Sequence, residues 1–265
     1  MIILACPFAA LRQAHDCQEM DVTQPYDYPA IAKMIDHSLL NPSLTTEALE
    51  EGCVLAVRYD VASVCIMPYY LVRCAALLAG TTVRTSTTIG FPHGGHTTAV
   101  KLAEIRQALA DGGQELDAVI NISKARSGDW HYVKDELAAL AAATHAGGAR
   151  IKVIFENAYF DDAAKIMLCE ISAEIGADWV KTSTGYAPSG ATLPDLELMR
   201  KHSPPQVQVK AAGGIRDLDT LLTVRAMGVS RVGATRTESI LEECRRRLGL
   251  EPIPQAAAAA APSGY

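Results

Sequence analysis

The chain has 265 residues, 49% of them hydrophobic and 20% charged, with a formal net charge of −6 at pH 7. That length and apolar share suffice to bury a large core, in one α/β barrel or in two small domains. The acidic balance excludes a general basic surface for nucleic acid, and no apolar run reaches the roughly 18 residues of a membrane span.

Residues 1–28 open with MIILACPFAALRQAHDC, which lacks a basic segment before its apolar start and so does not read as a signal peptide. A disordered or partly helical extension is expected there, with Met20 and Met34 as alternative starts. The seven cysteines are Cys6, Cys17, Cys53, Cys65, Cys74, Cys169 and Cys244. They are odd in number, scattered, and form no C-x-x-C. That pattern predicts a reduced, cytoplasmic chain with no disulfide framework or zinc site.

From residue 30 onward strands and helices alternate. Met34–Leu39 is the first predicted strand. The helical pattern LTTEALEEGCVLAVR follows, with Thr45 or Thr46 near its cap. Strands Val61–Met67 and Thr82–Ile89 come next, then TTAVKLAEIRQALADGG, which stops at a Gly pair suited to a C-cap. Strand Leu116–Ile122 leads to HYVKDELAALAAATHAGG, and strand Arg150–Phe155 to YFDDAAKIMLCEISAEIGA. Asp178–Thr182, Val207–Ala211 and Arg231–Gly233 complete the strands, each with a helical pattern after it. Eight such units predict a TIM (βα)8 barrel over residues 29–249. A doubly wound open sheet is the alternative, and the lack of G-x-G-x-x-G after an early strand counts against dinucleotide binding. Residues 250–265, containing EPIPQAAAAAAPSGY, are low in complexity and predict a flexible tail.

Three lysines fall on successive predicted strands: Lys152 in RIKVIF, Lys181 in DWVKTSTG and Lys210 in VQVKAAGG, each interval being 29 residues. That interval is the repeat of a parallel βα unit. An unpaired ammonium in a low-dielectric core costs several kcal/mol, so three in one sheet point to chemistry that needs an amine. Asp36 in DHSLLNP and Asp117 in DAVIN lie at similar depth on their strands. The five together predict one charged layer where barrels normally carry Val, Ile and Leu.

Such a layer explains how a lysine becomes a nucleophile. At pH 7 only about one free lysine in 2,500 is neutral. Lys181 and Lys210 would lie on neighbouring strands, about 4.8 Å apart. Two like charges about 4 Å apart repel by roughly 4 kcal/mol at an effective dielectric of about 20, a factor of about a thousand in protonation. Asp117 would stabilise the other lysine as a cation or move protons through water. Amine, neighbouring cation and carboxylate are the parts of a Schiff-base enzyme.

Strand seven runs into AAGGIRD and strand eight into VGATRTE. Gly213 and Gly214 would expose backbone N–H groups, and a helix starting near Thr235 would aim its positive end at an anion. Arg216 and Arg236 are adjacent cations. The loops after strands seven and eight are where barrel enzymes bind phosphate, so a sugar phosphate is the predicted partner.

The segments IDHSLLNP, SVCIMP, TTIGFPHGGHTTAVKLAEIRQALADGGQELDAVINI, IKVIFEN, GADWVKTSTGY, VKAAGGIRD and RVGATRTESIL together resemble the deoxyribose-phosphate aldolase family, over residues 31 to 247. The resemblance implies a class I aldolase that cleaves 2-deoxy-D-ribose 5-phosphate to glyceraldehyde 3-phosphate and acetaldehyde, with no metal or other cofactor. It implies Lys181 as the Schiff-base former, Lys210 as the lysine that perturbs it, and Asp117 as the proton shuttle. Spacing alone does not say which lysine is the nucleophile. Cys65, Thr184, Gly185, Gly213, Gly214, Arg216, Gly233, Thr235 and Arg236 are the expected substrate contacts, and Asp36 and Lys152 an auxiliary ion pair. A homodimer is also expected from the family, with no nucleic-acid or membrane partner.

Two positions depart from the family's familiar forms. Tyr186 follows KTSTG where some members carry a lysine near the phosphate, and Arg236 follows VGAT where a serine is familiar. Both place phosphate affinity in question. Tyr265 ends the chain, and some members close the site with a terminal tyrosine; its tail is long enough to reach. His93 and His96 lack a third ligand at useful spacing, and Cys65 lacks a base partner. Rival readings are another class I aldolase or transaldolase of different donor preference, a sugar-phosphate isomerase, and a non-catalytic sugar-phosphate-binding barrel.

Overall fold

A computed structural model of the chain describes residues 25–254. Its eight strands are β1 (Ile35–Leu39), β2 (Ser63–Ile66), β3 (Arg84–Ile89), β4 (Glu115–Val119), β5 (Arg150–Ile154), β6 (Trp179–Lys181), β7 (Gln208–Ala212) and β8 (Arg231–Ala234). Every neighbouring pair is parallel, and β8 pairs with β1 to close the barrel. The predicted TIM barrel is therefore the observed fold.

Among the described residues ten α-helices surround it: α1 (Tyr28–Ala32), α2 (Thr46–Arg58), α3 (Leu71–Leu78), α4 (Thr98–Ala110), α5 (Ile122–Arg126), α6 (Trp130–Ala146), α7 (Asp162–Glu174), α8 (Leu193–His202), α9 (Leu218–Ala226) and α10 (Thr237–Arg247). Apart from α3 and α10, their starts are set by side chains that accept from free N–H groups. Thr45 caps α2, Thr97 caps α4, and Asp161, Thr192 and Asp217 cap α7, α8 and α9.

Strand parity divides the molecule. Residues facing the helices are apolar: Ile35, Val64, Leu116, Ile151, Val153, Val180, Val209 and Val232 all join one buried cluster with the helices. The residues between them face the barrel axis, and many are charged. The main core thus lies between sheet and helices, which frees the interior for chemistry.

Some boundaries differ from expectation. The fourth strand starts at Glu115 and ends at Val119, rather than spanning Leu116–Ile122. The Asn121 side chain accepts from Lys124 N–H at 3.1 Å and turns the chain into the short helix α5. The first helix begins at Tyr28, where the expected barrel region starts. Asp27 caps it, Ile31 is buried, and the Tyr28 hydroxyl donates to Tyr59 O at 2.9 Å. At the other end, Ile253 N–H donates to Glu242 at 3.1 Å, so the chain stays against α10 beyond Gly249. Tyr265 lies outside the described residues.

One ion pair crosses the apolar layer. Lys101 Nζ of α4 donates to Glu136 Oε2 of α6 and to Val119 O at the end of β4, at 2.8 Å each, with both side chains fully buried. Removing one partner strands the other's charge. Glu136→Ala is expected to cost about 3–5 kcal/mol in urea unfolding, and Lys101→Met combined with Glu136→Leu to cost less than that single change.

Candidate active site

The charged interior is one continuous network centred on Asp117 of β4. Asp117 Oδ2 accepts from Lys181 Nζ at 2.7 Å and from Lys210 Nζ at 2.8 Å. Its other oxygen accepts from Lys152 at 2.9 Å. Lys210 also lies 2.6 Å from Asp36. Lys152 lies 2.7 Å from Glu115 and 3.2 Å from Asp36. Arg231 closes the set, bonding Asp36 at 2.5 Å and Glu115 at 2.9 and 3.0 Å.

The five predicted residues do converge, but not as one layer. Lys181 is paired in register with Lys210, whereas Lys152 is paired with Asp117 on one side and Trp179 on the other. Trp179 precedes Lys181 by two residues, so the lysines occupy successive rows. Strands in a closed barrel are tilted and staggered, and long side chains bridge the rows. Glu115 and Arg231 escaped the sequence reading. Glu115 shares parity with Asp117, and Arg231 sits at the start of a short strand; both signals were present.

The three lysines differ in their partners. Lys152 has three carboxylates within 3.2 Å, Lys210 has two, and Lys181 has one. Burial disfavours the charged form of each. For Lys152 and Lys210 the carboxylates overcome it and hold the ammonium above its usual range. Lys181 falls below that range: burial is the main cause, Lys210 adds to it, and Asp117 opposes it. Repulsion between the lysines was expected to dominate, and the structure ranks burial first. A buried charge must replace hydration with partners, and Lys181 has fewest. Burial would also raise Asp36 and Asp117, but the surrounding cations keep both well below the usual carboxylate range.

Above the network opens a cavity of about 570 Å³ at the C-terminal ends of the strands. Lys181, Lys210 and Asp36 line its floor, while Asp117 and Lys152 lie beneath. Cys65, Thr184, Gly185, Gly213, Gly214, Arg216, Gly233 and Thr235 all border it. Arg236 does not; it is exposed at the N-terminus of α10. Burial holds the Cys65 thiol above its usual range, unlike an activated nucleophile.

Two loop features fix the rim. Gly213 has φ +79°, and a Cβ there would lie 2.8 Å from Gly190 Cα, so two backbones touch where only glycine fits. Glu156, just past β5, has φ +62°, a conformation that costs a non-glycine residue about 1–2 kcal/mol. Its buried carboxylate accepts from the Thr184 N–H at 3.2 Å and from the Thr184 hydroxyl. That contact ties the loop after Lys181 to β5, and nothing in the sequence had marked Glu156.

The geometry has counterparts among known proteins. A family model described as DeoC/LacD family aldolase matches residues 30–235. A deoxyribose-phosphate aldolase of Rhodopirellula baltica is 60% identical over 240 residues, covering 91% of this chain and 99% of that protein. The chain belongs to the DeoC/LacD aldolase family. A deoxyribose-phosphate aldolase of Brevibacillus brevis is 44% identical over 209 residues, covering 79% of this chain and 94% of its own. The solved structure of the deoxyribose phosphate aldolase from Aeropyrum pernix, described as tetrameric, matches with a TM-score of 0.79 at 29% identity, over 84% of this chain and 94% of that one. This member of the family is accordingly a carbon–carbon lyase.

The sign of the Lys181 shift yields a pH test. A lowered pKa leaves the amine neutral above the lowered value and protonated below it. Lys210→Met removes a cation that lowers Lys181 and leaves Asp117, which raises it. The acid limb of acetaldehyde adduct formation should therefore move to higher pH, with about tenfold less labelling at neutral pH for each pH unit moved. Lys210→Arg should keep the limb near that of the unaltered chain. Borohydride trapping followed by mass spectrometry across pH measures both.

Proposed function

We propose that the chain is a class I aldolase that reversibly cleaves 2-deoxy-D-ribose 5-phosphate to D-glyceraldehyde 3-phosphate and acetaldehyde. The observation that carries this reading is the asymmetry among the lysines: Lys181 alone of the three is driven toward the neutral amine, and it lines the cavity. The names of the relatives supply the substrate.

In the cleavage direction, neutral Lys181 Nζ attacks C1 of the open-chain sugar. Loss of water gives an iminium ion, which acts as the electron sink. Removal of the C3 hydroxyl proton lets the C2–C3 bond break, its electron pair passing into the iminium to form an enamine. Glyceraldehyde 3-phosphate leaves. The enamine is protonated at carbon, and water hydrolyses the imine to release acetaldehyde. Asp117 lies beneath the amines and is held strongly anionic. It is thus a weak base by itself and works by keeping Lys210 charged while exchanging protons through the hydrogen-bonded amines. The rim of Gly213, Gly214, Gly233 and Thr235 receives the phosphate, with Arg216 beside it.

The reading extends to setting and assembly. Residues 29–249 form the catalytic unit, with an extension before it and a tail after it. The chain works in the cytoplasm, in keeping with its free thiols, and self-associates, as the Aeropyrum pernix protein does. Among the described residues no helix is long and apolar enough to cross a membrane.

The decisive experiment is borohydride reduction with acetaldehyde, followed by peptide mapping. A single adduct on Lys181, lost in Lys181→Met, is expected; adducts confined to surface lysines would reject the reading. Asp117→Asn should lower kcat by about 10²–10⁴-fold. Acetaldehyde should serve as donor where dihydroxyacetone does not.

A further inference from the structure

Tyr186 stands where three cavities meet. It lines the cavity that holds Lys181 and Lys210. It also lines a second cavity of about 630 Å³ reaching Ser123, Arg126 and Glu156, and a third of about 270 Å³ beside Phe91 and Met67. Among the described residues no other borders all three. The ring is held from two directions. Its hydroxyl donates to Leu40 O, just past β1, at 2.7 Å. Its ring packs nearly perpendicular to that of Phe91, at 5.5 Å between centroids. It is nonetheless 49% exposed, so its loss would open space rather than hollow out a core.

The amine cavity and the second cavity share only Thr184 and Tyr186. Thr184 is pinned by Glu156 through both its N–H and its hydroxyl. Tyr186 is therefore the removable portion of the wall. The second cavity lies over the ends of β3 to β6, across the barrel mouth from the glycine rim of β7 and β8. It offers donors and acceptors suited to hydroxyl groups: Ser123, Ser127, His93, Arg126 and Glu156.

We propose that Tyr186 is a specificity-determining wall. It limits the length of the acceptor aldehyde, and the space behind it is a latent subsite for the chain of an unphosphorylated polyhydroxy aldehyde. The inference rests on the aldolase reading above. The bond-forming step is unchanged: the enamine carbon on Lys181 adds to the acceptor's carbonyl carbon, the resulting alkoxide takes a proton, and water hydrolyses the iminium.

The test uses acetaldehyde as donor and unphosphorylated hydroxyaldehydes of two to six carbons as acceptors, with rates referred to the free aldehyde form. Tyr186→Ala should raise kcat/KM for the five- and six-carbon acceptors about tenfold relative to glycolaldehyde, the scale of a pocket contact. Tyr186→Phe keeps the wall and loses only the hydrogen bond, and should hold the ratio within about twofold. Ser123→Trp fills the second cavity. Alone it should leave cleavage of deoxyribose 5-phosphate unchanged, and added to Tyr186→Ala it should cancel the gain. Tyr186→Leu, with thermal unfolding as a check, serves if the alanine variant is unstable. An unmoved length profile, a gain that survives Ser123→Trp, or an equal gain in Tyr186→Phe would overturn the proposal. Absence of an adduct on Lys181 in the unaltered chain would instead sink the aldolase reading, so the two failures are distinguishable.

Discussion

One carboxylate oxygen, Asp117 Oδ2, lies within 2.8 Å of two lysine nitrogens, and all three side chains are buried. The interior around it holds three carboxylates, Asp36, Glu115 and Asp117, against four basic groups, Lys152, Lys181, Lys210 and Arg231. If all were ionised, one positive charge would be left over. At low dielectric such an excess is costly, and giving up one proton removes it. The group with the fewest carboxylate partners is the one that yields, and that is Lys181. The direction of the Lys181 shift, toward the neutral amine, thus follows from burial with few carboxylate partners, with repulsion from Lys210 as a contributing force.

The barrel makes that confinement tolerable. Its stability rests on the apolar layer between strands and helices, where Val64, Ile151, Val209 and their neighbours are buried. The interior is free to hold charges that would otherwise have to be replaced by Val or Leu. Trp179 packs in the row beneath the floor, with the Arg231 guanidinium 5.0 Å and Lys152 5.8 Å from its ring. Above, the rim is shaped by conformations that only particular residues sustain, at Gly213 and at Glu156. Loops set the shape of the mouth, strands set the amines, and the two can vary separately.

Much of this was legible along the chain. Parallel βα repeats set the lysines at equal intervals, and similar depth along its strand placed Asp117 with them. The KTSTG and KAAGG segments carried the family resemblance that the comparisons then established. What escaped notice has physical causes. Glu115 and Arg231 look like ordinary charged residues at strand starts, where solvent is usually near. Their burial depends on closure of the barrel, which brings β8 against β1 and lets Arg231 reach β4. Glu156 gives no sign of its left-handed backbone, and its carboxylate meets Thr184 only once the next strand's loop is folded against it. Arg236 looked like a phosphate ligand by its position, yet the turn into α10 leaves it exposed outside the cavity.

By itself the sequence determined the architecture, the set of amines and the position of the carboxylate between them, because hydrophobic periodicity and repeat length are local properties of the chain. Spacing left open which lysine should react. Only the tertiary structure decided the partner count of each ammonium, since that depends on side chains from five strands meeting in one closed volume. The shape of the mouth, with Tyr186 between two cavities, was decided there as well, because a wall exists only once distant loops are folded against each other.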